Sequence, residues 1–258
     1  MQLIGNGSPG GLMSLELFAD MQHASVVKLF KEQIGHYSSR DQAVDSKIVS
    51  LFKGWVRKDK VNKHLEICEF GGGAGQLLSQ LRENYHNASF TNAEIVEDYK
   101  KKLVSDKIKF VKTSIIKSVF TDKSFDVLIA RDVFHHLIGK SYDETVKNQI
   151  TALNELKRLL RPGGVIFIEE LTMIAEITSR AIYTLSSFNA RLGLRLPFIN
   201  ISTNTVVAFL TKDKLIRFCK QVFVKEKIYI TKINIKNDFK SRILRLGNKA
   251  DKIIVTIQ

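Results

Sequence analysis

The stretch Glu69-Phe70-Gly71-Gly72-Gly73-Ala74-Gly75 decides the fold. It stands between the apolar run His64–Phe70 and the helical stripe Leu77, Leu78, Leu81, so a strand passes directly into a helix through a run of glycines. Glycines at alternate positions let the backbone turn sharply and approach a bound ligand where a Cβ would collide. That arrangement favours a nucleotide-like cofactor at the carboxyl edge of the first strand. The dinucleotide fingerprint G-x-G-x-x-G fails in both frames: counted from Gly71 its third glycine falls on Gln76, and counted from Gly73 it falls on Leu78. What is present is acid-x-Gly-x-Gly-x-Gly.

Outward from this loop, Ala88–Glu94, Ile108–Lys112 and Phe125–Arg131 read as strands, and Val165–Glu169 follows the turn Pro162-Gly163-Gly164. Leu153, Leu156, Leu159 and Leu160 form one helical stripe that Arg161-Pro162-Gly163-Gly164 stops. Alternating strands and helices predict βαβ units, a parallel sheet and helices on both of its faces. Before the sheet, residues 23–60 carry two helical patterns (Val26, Val27, Phe30, Ile34, then Val44, Ile48, Leu51, Phe52, Val56) with a break from Gly35 to Arg40. Residues 171–211 lose the alternation and read as a helical cap insertion. Residues 212–258 then add a helix (Lys212–Gln221) and two strands, near Val222–Ile235 and Lys252–Ile257. Residues 1–22, rich in Gly, Asn and Ser at their start, are expected to be a flexible N-terminus.

Composition narrows the class. Apolar residues make up 44% and charged residues 26% of the 258 residues, the proportions of a folded globular protein. The net charge of +14 draws anions, but the basic residues are spread along the chain without a block of five or six, so no nucleic-acid partner is expected on charge alone. Cys68 and Cys219 belong to no C-x-x-C pair, which indicates neither zinc nor a disulfide framework and fits a cytoplasmic location. No apolar run approaches the ~20 residues that cross a bilayer. A weak peripheral contact of the basic, apolar insertion with an acidic membrane surface is the membrane role left open.

The acid-x-Gly-x-Gly-x-Gly loop resembles that of the class I S-adenosylmethionine (SAM)-dependent methyltransferases. The resemblance runs on through Phe90-Thr91-Asn92-Ala93-Glu94, Phe110-Val111-Lys112-Thr113-Ser114, Ser124-Phe125-Asp126-Val127-Leu128, Val133-Phe134-His135-His136-Leu137 and Leu159-Leu160-Arg161-Pro162-Gly163-Gly164. It covers about Lys63 to Glu170, in the family's order. It implies a Rossmann-like three-layer α/β/α sandwich whose seven-stranded sheet is mostly parallel with an antiparallel last strand. SAM is the implied cofactor, with 63–170 as the cofactor-binding core.

The family's site residues carry over position by position. Gly71, Gly73 and Gly75 would line the cofactor, and Glu69 would face its methionine ammonium. Glu94, about twenty residues past the loop, would accept from both ribose hydroxyls. Ser114 would replace the acid that usually accepts from the adenine amino group, and the amide of Ile115 would donate to the adenine ring. Arg131, at the end of the fourth strand, and Tyr37, in the break between the first two helices, complete the expected cofactor set.

For the reaction, His135 and His136 are the candidate bases, because a histidine near its ordinary pKa suits proton removal at neutral pH. Asp132, His135 and His136 also resemble the metal-recruiting acid-x-x-acid-His cluster of ubiquinone-pathway O-methyltransferases, with His in place of the second acid; no metal is assigned. The segment Ala130-Arg131-Asp132-Val133 lacks the Asn/Asp-Pro-Pro-aromatic pattern of amino-directed nucleobase methyltransferases. Transfer to oxygen, nitrogen or carbon of a small-molecule acceptor is therefore the leading expectation. The insertion (Tyr183, Phe188, Arg191, Arg195, Phe198, Phe209) would form much of the pocket. RNA methylation and a catalytically silent SAM-binding protein remain as alternatives.

Overall fold

The chain begins its sheet in the middle and works outward twice, and this reversal positions the site. The computed structural model describes residues 27, 42–56, 60, 62–192, 206–233 and 250–258. In chain order it contains α1 (Gln42–Trp55), β1 (Leu65–Phe70), α2 (Gln76–Asn84), β2 (Ala88–Glu94), β3 (Ile108–Lys112), β4 (Phe125–Arg131), α3 (Tyr142–Leu159), β5 (Leu160–Met173), α4 (Glu176–Leu192), α5 (Lys212–Val222), β6 (Ile228–Ile233) and β7 (Ala250–Ile257). The strands lie in the order β3-β2-β1-β4-β5-β7-β6. β1 to β5 pair in parallel, and β7 runs antiparallel to both β5 and β6. The order reverses between β1 and β4, which opens a crevice at their carboxyl ends.

Both faces of the sheet are covered, as the near-continuous apolar strands require. Period-2 alternation in β4 sends Val127 and Ile129 to one face and Leu128 and Ala130 to the other. The first face packs on Ile48 and Phe52 of α1 and Leu77, Leu78 and Leu81 of α2. The second packs on the α3 stripe Leu153, Leu156, Leu159 and on Leu215, Phe218 and Val222 of α5. The three leucines of α3 are fully buried and each contributes about 1.5–3 kcal/mol of apolar transfer. Ser141 caps α3 by accepting from the Glu144 amide at 3.1 Å.

Three boundaries differ from the sequence reading. β5 starts at Leu160 and ends at Met173, beyond the expected Val165–Glu169, and takes the Pro162-Gly163-Gly164 turn in as an irregularity between the Phe125–Leu160 and Val127–Val165 pairs. β7 pairs with it at eight positions, three of them past Glu170, which a reading of local periodicity does not see. Among the described residues the insertion is helical over Glu176–Leu192, and residues 206–210 are not helical and lead to a bridge between Met173 and Thr211. The last two strands are Ile228–Ile233 and Ala250–Ile257. Tyr37, Arg195, Phe198, the side chain of Arg191 and most of the first helical pattern lie outside the described residues. Among the described residues no helix is long and apolar enough to cross a membrane.

Candidate active site

The glycine loop takes its shape from its own backbone. Gly71, Gly73 and Gly75 have φ of 72°, 58° and 79°, a left-handed conformation that side chains with a Cβ disfavour. A Cβ on Gly71 would lie 2.5 Å from Val133 Cγ2 and 3.3 Å from the Arg131 carbonyl, so the loop after β1 sits directly against the segment after β4. A Cβ on Gly72 would meet Asn92 Oδ1 at 2.6 Å and Glu69 Oε2 at 2.9 Å. At Gly73 the nearest atom would be Tyr99 Cε1 at 3.6 Å, so the protein leaves room there.

β2 holds the loop in place. Buried Asn92 donates from Nδ2 to the Gly73 carbonyl at 2.7 Å, and Glu94 Oε2 accepts from the Gly73 amide at 3.3 Å. Glu94 Oε1 accepts from the amides of Ile95 (2.8 Å) and Val96 (3.2 Å). Three backbone amides thus hold its carboxylate at the end of β2. Ser114 Oγ accepts from the Ile116 amide (3.3 Å), while Thr113 Oγ1 accepts from the Val119 amide (3.1 Å); the side chain of Ile115 is buried.

Across the strand ends runs a chain of buried charges. Arg131, 3% exposed, donates from Nη1 to Glu69 at 3.3 Å and from Nε to Glu169 at 3.1 Å. Lys252 of β7 reaches Asp132 Oδ2 at 2.8 Å and Glu169 Oε1 at 2.5 Å, the first an aligned hydrogen bond and the second a charge contact. The carboxylates of Glu69, Glu169 and Asp132 thus surround the cations of Arg131 and Lys252 in a region where water screens little.

Glu169 and Glu170 are neighbours on a strand, so their side chains point to opposite faces. Glu169 joins the charges just described, and Glu170 turns to the histidines. His135 Nδ1 stands 2.5 Å from Glu170 Oε1, which also accepts from the Leu171 amide (3.1 Å), while Glu170 Oε2 accepts from the Phe134 amide (3.0 Å). The His135 ring stacks on Phe209 at 4.7 Å and lies 4.1 Å from the His136 ring. Gln149 bridges the carbonyls of Phe134 and Ala208, and the Ala208 amide donates to the His135 carbonyl, so the histidine loop is tied to the segment after the cap.

These surroundings push the two histidines apart. Burial opposes charge on His135, but the charge and hydrogen bond of Glu170, with Asp132 beyond, outweigh it and hold the pKa above the ordinary value. Burial, reinforced by the charge of His135, holds His136 well below it. Asp132, His135 and Glu170 place one donor atom each within 4.8 Å of one another. Glu170 is nonetheless engaged by three N–H donors and Asp132 by an ammonium, so their existing partners make the trio an ion-paired cluster rather than a metal cage. Burial pushes the Cys68 thiol well above its usual range and that of Cys219 to about 12, so neither is a thiolate near neutral pH.

Residues 68–168 match the family described as "Methyltransferase domain". Over this segment the chain is similar to methyltransferase domains. The matched segment runs from β1 to β5 and contains the glycine loop, Glu94, Arg131 and both histidines. Highly reducing polyketide synthases of Aspergillus terreus and Penicillium polonicum are each 29% identical to this chain over 125 residues, or 44% of it. The chain spans only 5% and 4% of the length of these two relatives. A SAM-dependent methyltransferase of Methanosarcina mazei shares the fold with a TM-score of 0.56 at 17% identity, over 81% of this chain and 96% of the other. So does the 1,6-didemethyltoxoflavin N1-methyltransferase of Burkholderia thailandensis, solved with its substrate and S-adenosylhomocysteine (TM-score 0.55, 13% identity, 97% and 92% covered).

Two features suit SAM as a ligand: the left-handed glycine loop, where a Cβ at Gly73 would meet only Tyr99 at 3.6 Å, and the carboxylates beside it. SAM supplies a methyl group on a positively charged sulfur. Glu170, Glu169, Asn92 and Lys252 are residues that the sequence reading passed over. The signal for the two glutamates was there: adjacent acids closing the apolar run Val165-Ile166-Phe167-Ile168 have no place on a buried strand unless partners meet both faces. Lys252 gave no such signal, since its partners are more than eighty residues away.

Proposed function

We propose that the enzyme methylates a small acceptor that must first lose a proton, and that the acceptor atom is an acidic carbon flanked by carbonyl groups. The observation that carries this reading is His135 held by buried Glu170. A histidine whose Nδ1–H is committed to a carboxylate keeps its Nε2 lone pair for the substrate and is stabilised once it has taken the proton. Transfer to an amine needs no such device, because a neutral amine is already nucleophilic. Similarity to polyketide synthases supports a carbon acceptor, since polyketide chains carry carbons between two carbonyls.

His135 takes the proton from that carbon to leave an enolate nucleophile; SAM, where bound, would supply the methyl group and keep a neutral sulfur as its leaving group. Glu170 orients the imidazole and balances its charge. His136, kept neutral by its surroundings, packs beside it. Glu94 binds the ribose hydroxyls, Glu69 the methionine ammonium, and Ser114 with the Ile115 amide the adenine. Gly71, Gly73 and Gly75 give the backbone its close approach, and Arg131 fixes Glu69 from below.

The test is transfer from methyl-labelled SAM to an acetoacetyl thioester, a phenol and a primary amine offered in parallel. A C-methylated thioester is expected. Methylation of the phenol alone would move the acceptor atom to oxygen, and methylation of the amine alone would remove the base from the reaction.

A further inference from the structure

The buried charges do not end at the cofactor side. From Glu69 on β1 the ion pairs pass through Arg131 on β4 and Glu169 on β5 to Lys252 on β7, which then reaches Asp132. Asp132 has φ of 51°, a left-handed conformation that costs a non-glycine residue about 1 kcal/mol or more and persists only where surrounding contacts enforce it. Its amide donates to the Glu169 carbonyl and its carboxylate accepts from Lys252, so both ends of the residue are tied to the outer strands. The side chain of Lys252 is 9% exposed. Held between two carboxylates, its ammonium stays charged far beyond neutral pH.

We propose that Lys252 is a positioning residue of methyl transfer: it fixes Asp132 and Glu169 and thereby sets the charge that His135 experiences. This rests on the reading of His135 as the base. The groups facing His135 are Glu170 on β5, Asp132 after β4, Lys252 on β7 and the neighbouring His136. Glu170 and Asp132 favour its protonation, and Lys252 opposes it. Without Lys252 the base would be stronger but would spend more of its time protonated, and Asp132 would lose one of the contacts that hold its strained backbone. The antiparallel last strand thus adds a functional group to a site otherwise built on the parallel strands.

The experiment is an NMR titration of the His135 imidazole in the S-adenosylhomocysteine complex, with the resonance assigned by its loss in His135→Gln. The titration itself needs no acceptor. In Lys252→Met the His135 midpoint should rise by roughly half a unit to one unit, and Lys252→Arg should restore it. If Lys252→Met does not fold, Lys252→Met with Glu169→Gln removes one charge of each sign and should carry the same rise. A folded variant with an unmoved midpoint would overturn the proposal. An upward shift in a protein whose methyl transfer survives His135→Gln would instead overturn the reading of His135 as the base.

Discussion

Glu170 Oε1 lies 2.5 Å from His135 Nδ1, with both side chains closed off from bulk water and the carboxylate held by two backbone amides. The pair behaves as a unit. Replacing Glu170 by Gln keeps the shape and removes the charge, so turnover should fall roughly tenfold to a thousandfold while affinity for S-adenosylhomocysteine stays within about twofold. Single-turnover rates beside calorimetric binding would show this. Parallel losses in both would make Glu170 structural.

The pH dependence follows from the same pair. His135 is active as a base only when deprotonated, and its pKa is raised, so kcat/KM should climb with pH through a midpoint above the ordinary histidine value and then level. In Glu170→Gln that limb should move to lower pH. A limb that does not move would mean another group titrates.

Gly71 and Gly73 separate fold from ligand. Both have positive φ, but alanine at 71 also drives a Cβ into Val133, whereas alanine at 73 meets nothing nearer than 3.6 Å. Gly73→Ala should cost about 1–2 kcal/mol in unfolding free energy and weaken SAM binding severely. Gly71→Ala should lose both more stability and the ligand. Denaturant unfolding with and without S-adenosylhomocysteine resolves the two.

Glu94→Ala should weaken SAM binding by roughly ten- to a hundredfold. The carboxylate also receives the amides of Gly73, Ile95 and Val96, so the variant should lose about 1–3 kcal/mol of stability as well. Unchanged affinity in a folded variant would remove Glu94 from the site.

Away from the site, Glu155 sets part of the acid stability. Burial raises its pKa, but hydrogen bonds from the Arg158 side chain and from the side chain and amide of Ser118 outweigh burial and lower it to about 2. A depressed carboxylate stabilises the fold fully above its unfolded value, and that contribution disappears as pH falls toward 2. Thermal unfolding between pH 5 and 2 should be less steep in pH for Glu155→Gln than for the native chain.

The sequence carried the fold wherever the interaction was local. Leu77, Leu78 and Leu81 mark α2, and Leu153, Leu156 and Leu159 mark α3, because each helix shows its buried stripe in consecutive turns. The glycine loop was legible for the same reason: the shape it requires lies within one βαβ unit. β5 was cut short at Glu169 because its last residues owe their extended form to pairing with β7. The partners of His135 and Asp132 were hidden similarly, since Glu170 and Lys252 come from strands that only the folded sheet brings alongside.

The central claim is that His135, held by Glu170, removes a proton from the acceptor. It is tested most directly by exchange of the C-2 protons of an acetoacetyl thioester with D2O in the presence of the enzyme and S-adenosylhomocysteine, where no methyl can be transferred. The account predicts exchange well above the uncatalysed rate in the native chain and its loss in His135→Gln. Exchange no faster than in buffer, or equally fast in His135→Gln, would contradict it.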